Sequence, residues 1–100
     1  MVDLGDLREG VWPDDLVPFV RHALELPGIR IGGLGTNLSC FGGVVPSAAN
    51  MGRLVELAGE LERCAGLRLD RISGANSSGL ELIASGRMPA RVNHARIGEA

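Results

Sequence analysis

The sequence predicts an α/β fold in which about four parallel strands alternate with three helices. Three observations lead there. Short apolar runs recur along the chain, each closed by a glycine or running into one. Between them lie longer stretches with apolar residues at helical spacing, opened by proline, serine or asparagine. The resulting order is β-α-β-α-β-α-β, and strands that alternate with helices pair in parallel. One hundred residues make one domain and not two.

Residues 1–4 form the first strand, ending at Gly5, and Gly10 breaks the chain again. Pro13, Asp14 and Asp15 start the first helix, with proline in the first turn and acids at the positive end of the helix dipole. Leu16, Val20, Ala23 and Leu24 then share a face, and Pro27-Gly28 stops the helix. Ile29, Ile31 and Leu34 form the second strand, which runs into Gly32-Gly33-Leu34-Gly35. Residues 36–46 read as a loop of small side chains. Ser47 caps the second helix, whose stripe is Met51, Leu54, Val55, Ala58, Leu61 and Glu62, and Gly66 ends it. Leu67, Leu69 and Ile72 make the third strand, closed by Ser73-Gly74. Asn76-Ser77-Ser78 precedes a short helix carrying Leu80, Leu82 and Ile83, terminated at Gly86. Residues 92–97 form the fourth strand.

Composition removes several function classes. A net charge of −2 offers no electrostatic attraction to nucleic acid or to an anionic membrane. All 10 basic residues are arginine, which excludes a lysine-bearing phosphate loop and a Schiff base formed within the chain. Trp12, Phe19 and Phe41 are too few for a base-stacking surface. Cys40 and Cys64 belong to no CxxC pair and are expected to be reduced thiols of a cytoplasmic protein. Neither a membrane span nor a signal peptide is expected. His22 and His94 lie far apart with no ligand spacing to the cysteines, so no metal site is expected. Glu56, Glu60 and Glu62 with Arg53 and Arg63 read as a solvated helix face.

Ligands of parallel α/β folds bind at the carboxyl ends of the strands. Four clusters fall there: residues 5–8, residues 35–37, residues 73–78 and residues 96–99. In the third, Ser77 sits at a helix N-terminus, where free N–H groups and the dipole attract an anion. Asn76 or Ser77 acting as a plain helix cap is the alternative. Gly98, after the next strand, could turn its N–H toward the same anion. Arg8 and Arg96 flank glycines on this face, where each serves either a surface ion pair or a ligand atom. Residues 33–38 fail as a dinucleotide turn, because Leu38 stands where the third glycine belongs.

These residues resemble the alanine racemase family. The run of residues 2–10, VDLGDLREG, is similar to that family's V-D-x-G-x-x-R-x-G segment; Ala75-Asn76-Ser77 resembles its A-N-S phosphate loop; and Arg96-Ile97-Gly98 resembles its final-strand R-x-G. The texture of GDLREG, GTNLSCFGGVVP, ISGANSS and NHARIGEA is closest to the ornithine racemase-like branch. The resemblance spans essentially the whole chain and implies a fold-type III pyridoxal 5'-phosphate barrel that racemises amino acids. It places Arg8 near the cofactor's phenolic oxygen and Ser77, beside Asn76, on the phosphate with the backbone N–H groups of Gly98 and Glu99. It places Arg96 on the pyridine nitrogen. Asn37 stands where alanine racemases carry a histidine that stacks on the ring.

The family's Schiff-base lysine belongs on an early barrel strand, and its tyrosine base lies in a later domain. This chain holds neither residue type. A complete (β/α)8 TIM barrel needs about 250 residues. The chain is therefore expected to be a partial barrel, the later strands of the cofactor-binding half, and inactive by itself. An open half-barrel exposes strand edges and an uncovered apolar face. Self-association, or a second chain that supplies the missing half, is expected with it. The small-molecule partner is an amino acid. Two other readings stand beside the racemase part: a non-catalytic module that holds pyridoxal phosphate, as homeostasis proteins of the related branch do, or a truncated inactive product; and an unrelated phosphate-binding α/β domain.

Overall fold

The computed structural model describes residues 1–5, 10–38, 46–75 and 79–96. A 3-10 turn at Pro13–Asp15 leads into α1 (Leu16–Ala23), followed by β1 (Gly33–Gly35), α2 (Ala48–Ala65), β2 (Arg71–Ala75), α3 (Leu80–Ala84) and β3 (His94–Ala95). The three strands form one sheet in the order β1-β2-β3, and both pairings are parallel. Sequential parallel neighbours joined through helices are the α/β pattern that the sequence predicts.

The expected first strand is the main departure. Val2 makes only an isolated parallel bridge to Val11. Its N–H donates to the Gly35 carbonyl at 2.8 Å, while Val11 and residues 1 and 3 exchange bonds of 3.0 and 2.8 Å on the other edge. Residues 1–3 are thus wedged between Val11 and the end of β1, too briefly to count as a strand. Three strands and this segment replace the expected four. The third and fourth strands are also displaced: Ser73-Gly74 lies inside β2 rather than closing it, and β3 is two residues long.

Helix ends follow local chemistry. Ser47 accepts from the Asn50 N–H at 3.2 Å, and Asn50 Oδ1 accepts from the Ser47 N–H at 2.8 Å, a reciprocal capping box. Gly66 closes α2 in the left-handed region, φ 68°. By contrast α1 stops at Ala23, short of Pro27-Gly28. The N–H groups of Glu25 and Leu26 reach back only three residues, to His22 and Ala23, so the chain has tightened out of the helix before the proline. The cap of α3 is Gly79, without a side-chain bond; residues 76–78 lie outside the described residues.

The core lies on one side of the sheet. Leu54, Leu57, Ala58 and Leu61 of α2 pack with Leu34, Leu69 and Ile72, and Leu16 and Val20 of α1 join them. Leu57, absent from the stripe read in the sequence, is buried, whereas Val55 is only half-buried. Gly74 faces this layer: a Cβ there would lie 2.6 Å from Met51 Sδ and 3.1 Å from Val92 Cγ1. The glycine lets α2 approach β2 closely.

Glu62 corrects the reading of a solvated acidic face. Its carboxylate accepts from the Leu69 N–H at 2.9 Å and pairs with Arg91 at 2.7 Å. The Leu69 N–H, and after it Arg91, hold the Glu62 carboxyl below the usual carboxylate range. It ties α2 to the chain on either side of β2. Arg53 and Glu56 do pair along the exposed face, at 3.7 Å.

Candidate functional site

Parallel strands in sequence order bring their carboxyl ends to one end of the sheet. Thr36 and Asn37 follow β1 there, residue 76 follows β2, and Arg96 follows β3. The structure therefore brings Asn37 and Arg96 to the same end. Arg8, Asn76, Ser77, Gly98 and Glu99 lie outside the described residues.

The opposite face of the sheet from α2 borders a concavity of about 460 Å³. Residues Gly33, Gly35, Arg71, Ser73, His94 and Arg96 line it. Strand periodicity places four of them: Arg71 and Ser73 alternate with the buried Ile72 and Gly74, and His94 and Arg96 are likewise two apart; Met1, Arg30, Gly32, Leu34 and Asp70 complete the lining. β1 presents glycines where it lies closest to β2. A Cβ on Gly33 would collide with the Arg71 carbonyl oxygen, and one on Gly35 would lie 3.2 Å from Ser73 Cβ.

Polar and apolar surface share this wall: Arg71, Ser73, His94 and Arg96 stand beside Met1, Leu34 and the glycines. The strand period of two sends Ile72 to the helices and leaves Arg71 and Ser73 on the open side. Large apolar residues are also exposed around α1: Trp12, Phe19, Leu24, Leu26 and Ile29.

Two features here were not singled out by sequence reasoning. Ser73 Oγ and His94 Nδ1 share a 2.8 Å hydrogen bond across β2 and β3. Recognising it required placing Ser73 within a strand rather than at its closing turn; the His-x-Arg alternation of residues 94 and 96 was the available signal. Thr36 is the other. It is 3% exposed, yet its hydroxyl has no hydrogen-bond partner among the described residues.

Among the described residues, no group of three His, Cys, Asp or Glu side chains could hold a metal, and no helix is long and apolar enough to cross a membrane. Asn93 serves the fold: its Oδ1 accepts from the Ile72 N–H and its Nδ2 donates to the Asp70 carbonyl, both at 2.9 Å.

Comparison with known proteins agrees with the resemblance. The family model described as alanine racemase, N-terminal domain, matches residues 1–100. An ornithine racemase from Acetoanaerobium sticklandii is 43% identical over 101 residues, covering 100% of this chain and 29% of that protein. A lysine racemase from Thermotoga maritima is 37% identical over 100 residues, covering 100% of this chain and 27% of that protein. The chain thus spans less than a third of the curated relatives it matches. No solved structure matches it. A family-model match along the full length of the chain, with relatives at 43% and 37% identity, makes this chain a member of the alanine racemase N-terminal-domain family.

Proposed function

We propose that this chain is the later-strand part of a pyridoxal 5'-phosphate-dependent amino-acid racemase barrel of the ornithine or alanine type. One observation carries the reading. Arg96, at the carboxyl end of β3, lines the concavity beside Ser73 and His94. A guanidinium there keeps its proton and offers N–H donors to a ring nitrogen. The residues present fit the cofactor. The concavity lies within the roughly 300–1,000 Å³ range of small-molecule sites. The Thr36 hydroxyl, which has no partner among the described residues, sits beside Asn37 at the same end.

When bound, the cofactor supplies an electron sink for a carbanion at the substrate Cα. The remaining work falls to the protein. By the resemblance, Ser77, with Asn76 and the N–H groups of Gly98 and Glu99, would hold the phosphate, and Arg8 would meet the phenolic oxygen. Arg96 would donate to the ring nitrogen and keep it from taking a proton. A second reading is a module that holds the cofactor without covalent attachment. In either reading, self-association or a chain that supplies further strands completes the barrel, and the working compartment is the cytoplasm.

The test titrates the protein with pyridoxamine 5'-phosphate, which has no aldehyde to react with the α-amino group. Binding that Arg96→Leu weakens about tenfold, the value of one good charge-assisted hydrogen bond, is expected. Equal affinity in the variant, or preference for a nucleotide, overturns the reading. Adding a chain that carries the earlier strands with their lysine separates the two forms. Borohydride-stable attachment of pyridoxal phosphate and racemisation support the racemase part, and their absence supports the module.

A further inference from the structure

The last in-register pair of β2 and β3 is Ser73 with His94; Ala75 then stands opposite Ala95. Two residues of β2 advance against one of β3, so the register slips at Gly74. Without the slip Arg96 would stand beside Ala75; with it, Ala95 does. Bulges in parallel pairs are rare, and bulges collect next to active sites, where they re-aim a side chain. The 2.8 Å bond between Ser73 Oγ and His94 Nδ1 sits at the residue pair where the slip begins. It is a side-chain clamp across the two strands, on the same wall of the concavity as Arg96.

We infer that His94, through its hydrogen bond to Ser73, is a positioning residue that fixes the slipped register of β3 and so the direction in which Arg96 enters the concavity. The inference rests on the function proposed above, in which Arg96 meets the cofactor ring. The backbone around the slip is weakly specified by other means. β3 is two residues long, and Gly74 is held in place by the helix layer, not by a side chain of its own on the ladder. Asn93 fixes the strand one residue earlier, on Ile72 and Asp70. That leaves the Ser73–His94 bond as the side-chain tie between the slip and Arg96 among the described residues.

The test measures affinity for two probes, pyridoxamine 5'-phosphate and inorganic phosphate, in His94→Leu, Ser73→Ala, His94→Asn and Arg96→Leu. Loss of one positioning hydrogen bond is expected to weaken pyridoxamine phosphate about five- to tenfold in His94→Leu and Ser73→Ala. Phosphate affinity should stay unchanged, because residues after β2 and β3 hold it. His94→Asn, which can still reach Ser73, should restore most of the loss. Wild-type affinity in His94→Leu overturns the inference. Equal weakening toward both probes also overturns it, since that is the mark of a merely structural role. If Arg96→Leu leaves pyridoxamine phosphate binding intact, the proposed function fails and takes the inference with it. Weakening in Arg96→Leu but not in His94→Leu rejects the inference alone.

Discussion

On one face of the sheet, Leu34, Ile72 and Gly74 meet α2; on the other, Gly33, Arg71, Ser73 and His94 border an open concavity. Four consecutive residues of β2, Arg71 to Gly74, divide between the two. The helix face is dry and close-packed, so it holds the fold by area and shape. The open face is roomy and carries polar side chains, so it contributes little to the fold and can be given to chemistry. The faces also tolerate glycine for different reasons. Gly74 makes room for a helix, whereas Gly33 and Gly35 let β1 lie close against β2.

The comparison breaks most visibly at Leu54, which is fully buried under the sheet. Leu54→Ala is expected to cost about 2–5 kcal/mol, read as a lowered urea midpoint. A loss below about 1 kcal/mol would mean that the helix layer is not close-packed. Glu62 gives a smaller effect on the same side. Its folded value lies below its ordinary value of 4.5, so its contribution is fully present above that pH. It is lost as pH falls through the lowered folded value. Melting of the wild type and of Glu62→Gln between about pH 7 and pH 3 checks this. The gap between them should narrow on the acid side, and a constant gap would rule out the carboxylate as its source. Arg71→Ser, on the open face, is expected to shift stability by less than about 0.5 kcal/mol, since the side chain is exposed. A larger loss would show that the open face also holds the fold.

Much of this was legible in the chain because the signals were local. The Ser47 cap, the Gly66 stop and the alternation of strands with helices depend on neighbours within a few residues. Arg96 and Asn37 were legible as ends of strands once the parallel order was read. The Glu62–Arg91 pair was not, because its partners are 29 positions apart and meet only after β2 is laid down (91 − 62). Residues 1–4 read as a strand because Val2 and Leu4 are apolar, but Val11 claims their outer edge.

By itself the sequence determined the α/β class, the two ends of α2 set by Ser47 and Gly66, and the family, since these rest on residue type and spacing along one stretch of chain. Only the tertiary structure decided the register slip at Gly74, the Ser73–His94 clamp and the wall of the concavity that Arg96 joins. Those depend on which residues of separate strands stand opposite one another, and a shift of one residue in that pairing reverses every side chain.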